Sequence, residues 1–242
     1  MGGAAGASDA AGALAAGWEA VTSRVRTAAE RAGRRAGDVK ILAVSKTKPP
    51  SDVAEAYRLG VREFAENRVQ ELLEKQASAE CGGLGIEWHL IGHLQTNKAR
   101  QVVGKTALIH SVDRMGIALE LQKWAEKLGT SVSVLIQSNI AREASKFGFS
   151  PEDTMEAARE VAKLPNLRVR GLMTVAPFVE DPEENRGVFR ELFNFYVDIK
   201  GKNMDNVDMR ILSMGMSNDF EVAIEEGSNM VRIGSLLFGR RA

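Results

Sequence analysis

Lys46 follows a short apolar run, Ile41-Leu42-Ala43-Val44, with only Ser45 between. Such a run reads as a strand buried on both faces, so the lysine stem projects from a strand end. Lysine does carbonyl chemistry through its neutral amine. Desolvation and nearby cations such as Lys48 make that form accessible. Taken alone, a solvated lysine at a strand end is the commoner case. Two Gly/Ser turns far along the chain change the weighing, Gly215-Met216-Ser217 and Gly234-Ser235. Ser217 is expected to open an amphipathic helix with Phe220, Val222 and Ala223 inward. Free N–H groups and the helix dipole at such a start attract phosphate. Gly234-Ser235 offers a second N–H pair and a hydroxyl. Asp219 lies near this anion site and must point away from it.

A lysine opposite a phosphate site suggests a carbonyl substrate or cofactor bearing phosphate. Two candidates follow: a Schiff base with pyridoxal 5′-phosphate (PLP), or a class I aldolase acting on a sugar phosphate. Arg232 stands two residues before Gly234, inside another apolar run. A buried arginine needs a partner. A pyridine nitrogen held between lysine and phosphate turn would supply one, and so would a carboxylate inside the fold.

The elements that must position these groups alternate along the chain. A helical spacing runs through Trp18, Val21, Val25, Ala28 and Ala32, with Arg24, Arg31 and Arg35 outward. Eight strands are then predicted: Val39–Ser45, Val61–Ala65, Ile86–Ile91, Ala107–Val112, Ser131–Gln137, Leu167–Met173, Met209–Ser213 and Asn229–Ile233. Helix signals separate them. Ser51 after Pro50 reads as a cap, Gly60 as a left-handed stop, and Ser150-Pro151-Glu152-Asp153 as a full N-terminal signal. This alternation predicts an α/β protein, a single (β/α)8 barrel over residues 17–242, with a doubly wound open sheet as the alternative. A barrel demands functional residues at the strand ends, and phosphate on the loops after strands seven and eight. The lysine and both turns sit where that rule requires.

Composition excludes some roles. Lys plus Arg and Asp plus Glu both number 32, so no net charge draws the chain to nucleic acid or anionic membrane. No apolar run is long enough to span a bilayer. The lone Cys81 gives neither a disulfide framework nor a zinc cluster. Residues 1–16 are rich in Ala and Gly with one charge, Asp9, and read as a disordered N-terminus without a targeting signal. A cytoplasmic protein is expected. His89 and His93 are four apart, but they bracket a strand end and Gly92 rather than sharing a helix face, so no metal site is expected.

Several segments occur in a recognisable order: Ala43-Val44-Ser45-Lys46-Thr47-Lys48, Phe64-Ala65-Glu66-Asn67-Arg68-Val69-Gln70-Glu71, Trp88-His89-Leu90-Ile91-Gly92-His93-Leu94-Gln95-Thr96-Asn97-Lys98, Ser145-Lys146-Phe147-Gly148, Gly171-Leu172-Met173-Thr174, Leu212-Ser213-Met214-Gly215-Met216-Ser217 and Val231-Arg232-Ile233-Gly234-Ser235. With them the chain resembles the PLP homeostasis proteins of the YggS/PROSC type. Those proteins are similar to the N-terminal barrel of alanine racemase, a fold type III PLP architecture. The resemblance covers about residue 18 to the C-terminus. It implies an aldimine on Lys46, the phosphate on Ser217, Gly234 and Ser235, Arg232 facing the pyridine nitrogen, Asn67 in the pocket wall, and Met214 among the cofactor contacts. An arginine at the ring nitrogen keeps it unprotonated and discourages carbanion chemistry. Two stretches depart from the family pattern. The usual Gly-Glu-Glu-Ser-Lys reads Ala141-Arg142-Glu143-Ala144-Ser145-Lys146, and Phe238-Gly239-Arg240-Arg241-Ala242 lacks the common acidic-aromatic tail.

Racemisation needs a second base, which alanine racemases place with a further domain. The tyrosines here, Tyr57 and Tyr196, are expected in helices as packing residues, and His93 reads as a base or a loop tie. The expectation is therefore a PLP carrier without catalytic residues, acting as monomer or weak dimer and meeting apo-enzymes transiently. A low-activity amino-acid racemase is the second hypothesis.

Overall fold

The computed structural model describes residues 3–239. Its strands are β1 (Lys40–Val44), β2 (Glu63–Glu66), β3 (Glu87–Leu90), β4 (Leu108–Val112), β5 (Val132–Gln137), β6 (Leu167–Met173), β7 (Val207–Met216) and β8 (Met230–Ile233). Each pairs in parallel with the next, and β8 pairs with β1 from Lys40↔Met230 to Ala43↔Ile233. That last ladder closes the sheet and rules out the open doubly wound alternative. The helices α2 (Pro50–Arg58), α3 (Val69–Ala77), α4 (Ala99–Val102), α5 (Met115–Lys127), α6 (Pro151–Ala162), α7 (Arg186–Gly201), α8 (Phe220–Glu225) and α9 (Ser235–Phe238) each follow one strand. The fold is the expected (β/α)8 barrel.

Three local expectations are corrected. Helix α1 (Gly3–Arg31) begins inside the segment read as disordered, and Leu14 is buried in the core. Alanine has the highest helix propensity, so an Ala-rich stretch extends a helix that already has an apolar stripe. Ser51 lies within α2 and caps nothing; Pro49 holds the cap position and Pro50 the first turn. Strand β7 runs on to Met216 instead of ending at Ser213. Ser150 does cap α6, accepting from the Asp153 N–H at 3.1 Å. The altered C-terminal stretch lies outside the described residues from Arg240 onward.

Alternation along each strand divides the core in two. Outward residues such as Ala43, Phe64, Leu90, Ile109 and Val231 pack under the helices. Inward residues Leu42, Val44, Ala65, Leu108, Leu135, Met173 and Met230 fill the barrel. Polar residues also stand at inward positions, among them His89, His110, Ser213 and Arg232, all buried. No described helix is long and apolar enough to cross a membrane.

Candidate functional site

Parity on β1 continues past its end. Leu42 and Val44 point inward, so Lys46 also turns into the barrel mouth. There it lines a cavity of about 460 Å³ together with Asn67, Met216, Ser217, Arg232, Gly234 and Ser235. Residues from four strand ends thus meet at one site. Its volume lies within the ~300–1,000 Å³ usual for small-molecule sites.

The backbone carrying Lys46 is tied on both sides. Lys75 Nζ donates to the Ser45 carbonyl at 2.6 Å, and the Lys48 N–H donates to the same oxygen at 3.0 Å. Thr47 occupies the left-handed region with φ 67°, and its N–H donates to Glu71 Oε2 at 2.9 Å. Lys48 Nζ reaches the Phe238 carbonyl at 2.6 Å. A β-branched residue in that conformation is strained and persists only where its surroundings hold it.

Lys75 and Glu66 form a buried pair behind this segment, with side-chain exposures of 6% and 0%. Glu66 also accepts from Ser45 Oγ at 2.7 Å. Burial pushes the Glu66 carboxyl above the usual range, against the lowering pull of Lys75 and Ser45.

The two Gly/Ser turns face each other. The Gly234 N–H lies 3.3 Å from Ser217 Oγ. Ser235 opens α9, so its N–H is outside the helix ladder. Gly215 has φ 90°, and a side chain there would meet Ala223 and Phe220 at under 3 Å. Ser217 precedes the helix, which starts at Phe220 and not at Ser217 as expected. Asp219 does turn away: Oδ1 accepts from the Met216 N–H at 2.7 Å and Oδ2 from Asn185 at 2.9 Å.

Met214 is not brought to the cavity. Ser213 faces inward on β7, so Met214 faces outward and is fully buried beneath the helices. A register shift between Ser213 and Met216 then aims Met216 into the mouth. The methionine that lines the cavity is thus two residues later than the one expected.

Arg232 forms part of the cavity floor. It donates to Ser213 O and Oγ, both at 2.8 Å, and to Thr174 O at 2.7 Å. Its partners are neutral oxygens, so the carboxylate alternative is not what holds it. Burial lowers it to about 10, with Asp219 acting the other way. The guanidinium therefore stays charged near neutrality. Asn67 Oδ1 is buried with no hydrogen-bond partner among the described residues. An orphaned acceptor in a cavity wall fits a ligand that brings a donor.

Sequence reasoning missed Lys75 and His110. The signal for Lys75 was present: it shares a helix face with Val69 and Leu72, where a charge breaks the apolar pattern. His110 is an interruption in the apolar run of β4. His93 sits outside the cavity lining, stacked on Phe147 at 3.8 Å and bonded through Nδ1 to Asp113 at 2.5 Å. Tyr196 donates to the Met209 carbonyl at 2.7 Å, and Tyr57 packs under Arg62; neither lines the cavity.

The sequence profile described as alanine racemase, N-terminal domain, matches residues 18–242. A pyridoxal phosphate homeostasis protein from Aquifex aeolicus is 47% identical over 221 residues, 91% of this chain and 95% of that protein. A protein of the same description from Pseudomonas aeruginosa is 43% identical over 221 residues, covering 91% and 93%. Among solved structures, PipY of Synechococcus elongatus with PLP bound superposes with a TM-score of 0.76 at 36% identity, covering 84% of this chain and 93% of that one.

Proposed function

The chain belongs to the alanine racemase N-terminal domain family and, within it, to the pyridoxal phosphate homeostasis proteins, and from that footing we propose that it holds PLP covalently through Lys46 and delivers it to apo-enzymes in the cytoplasm. The observation carrying this reading is the convergence of Lys46, Ser217, Gly234, Ser235 and Arg232 on one cavity. Ser217 Oγ and the N–H groups of Gly234 and Ser235 would hold the phosphate. Arg232 would face the ring nitrogen as a fixed donor, and Asn67 would stand in the pocket wall beside the ring. PLP supplies an electrophilic aldehyde when bound.

Two features favour holding over turnover. Arg232 is a charged donor that opposes protonation of the ring nitrogen, which weakens the ring as an electron sink. Neither Tyr57 nor Tyr196 reaches the cavity to act as a second base. Amines on an incoming apo-enzyme would displace Lys46 to release the cofactor. The test is a visible spectrum of purified wild type beside Lys46→Ala, before and after borohydride. The expected result is a wild-type band that borohydride fixes to the peptide containing Lys46 and that the variant lacks. A wild type that stays colourless after PLP is added overturns the reading.

A further inference from the structure

The opposite mouth of the barrel holds a second cavity of about 470 Å³, lined in part by Lys40, Glu63, Glu87, His89, Arg170 and Arg210. Its acids and histidine come from adjacent strands. Glu63 pairs with Glu87 across the β2–β3 ladder, and His89 lies two residues beyond Glu87 on the same face. Their ligand atoms all lie within 4.8 Å of one another.

His89 is 3% exposed, and its Nε2 has no hydrogen-bond partner among the described residues. Glu63 Oε2 is likewise buried and unpartnered. The two atoms face each other at 3.6 Å, too far for a hydrogen bond. Two ligand atoms bound at zinc distances on one tetrahedral centre stand about 3.4 Å apart. The observed gap therefore matches a shared ion. The other Glu63 oxygen is occupied by Lys40, which leaves Oε2 available. Arg170 and Arg210 are both drawn to Asp208.

The support behind the histidine is that of a metal ligand. His89 Nδ1 lies 2.9 Å from His110 Nε2, and His110 Nδ1 lies 3.1 Å from Ser213 Oγ. A second partner of this kind fixes the ring and its tautomer. We propose that the N-terminal mouth of the barrel binds one divalent transition-metal ion of the zinc class on His89 Nε2, Glu63 Oε2 and the Glu87 carboxylate, with solvent in the fourth position. An ion there holds the proton of His89 on Nδ1, directed at His110. The column His89, His110, Ser213 and Arg232 then has one order of donors and acceptors.

The test is calorimetric titration of ZnCl2 into the chelator-treated, PLP-saturated protein. One ion per chain is expected, at least tenfold weaker in Glu87→Gln and in His89→Asn and unchanged in His93→Asn. Glu87 is exposed, so Glu87→Gln should melt like wild type and reports on the site even if the His89 variant is unstable. X-ray absorption of the zinc-loaded protein should show one imidazole nitrogen among oxygen donors. Absence of a saturable one-to-one site overturns the proposal. So does an affinity that Glu87→Gln leaves unaltered.

Discussion

Lys75→Met tests what stands behind the cofactor lysine. In the wild type, Lys75 Nζ bonds the Ser45 carbonyl and the Glu66 carboxylate, and both side chains are out of solvent. Methionine keeps the stem and removes the charge. The carboxylate is then left with Ser45 Oγ, while its Oε2 already has no partner among the described residues. Removing one partner of a buried ion pair costs about 3–5 kcal/mol. For a chain of this length that is a drop of roughly 10 °C in Tm. The Glu66 carboxyl is already raised by burial, and losing Lys75 raises it further. A raised folded-state pKa gives stability that is present below the unfolded carboxyl value of about 4.3 and lost as pH rises through the folded value. The deficit of Lys75→Met should therefore shrink as pH falls from neutrality toward the unfolded carboxyl value. The assay is urea unfolding followed by circular dichroism, for Lys75→Met, Glu66→Gln and the double variant. The double variant should recover at least half of the loss, because no bare charge remains. A cost below about 1 kcal/mol, or a double variant no better than the single, would refute a charged buried pair.

Other expectations concern the cavity directly. Gly92→Ala places a methyl 2.1 Å from the Asn67 carbonyl oxygen; a loss of about 1–3 kcal/mol in urea unfolding and weaker PLP binding are expected together. Met214→Ala should cost roughly 2–5 kcal/mol of stability with little change in PLP affinity, whereas Met216→Ala should shift the visible band of the bound cofactor and leave the unfolding midpoint nearly unmoved. Ser217→Ala should weaken PLP, read by fluorescence titration, by about three- to tenfold, the worth of roughly one hydrogen bond, while borohydride still fixes the cofactor to the protein.

The barrel was legible because each strand is a short apolar run bounded by helix signals, and β6 matches its predicted span residue for residue. That Lys46, Ser217, Arg232, Gly234 and Ser235 gather at one cavity was legible because barrel topology assigns meaning to strand ends. Met214 was not, because a bulge inside β7 changes which methionine faces the cavity, and a register shift leaves no mark in composition. The N-terminal helix was misjudged because Ala and Gly pull in opposite directions, and packing by Leu14 decides the outcome. Lys75 and His110 escaped notice because their roles depend on partners from distant strands and turns, Ser45 and Ser213.

The ties on either side of Lys46 bear on competition among amines. Under the proposed function its ε-amine is attached to the same body that grips the phosphate, so its attack on the aldehyde is intramolecular. Well-oriented groups of this kind act at effective concentrations of about 10⁵ M or more, and even flexible tethers give roughly millimolar values. The bonds that tie this segment to Lys75, Glu71 and Phe238 restrict the backbone carrying Lys46 and raise its effective concentration above the flexible-tether value. A free amino acid at cellular concentration then captures the aldehyde only fleetingly before Lys46 takes it back. An apo-enzyme that presents its own anchored lysine and its own phosphate site competes on equal terms, and selectivity for such recipients follows without any dedicated recognition surface.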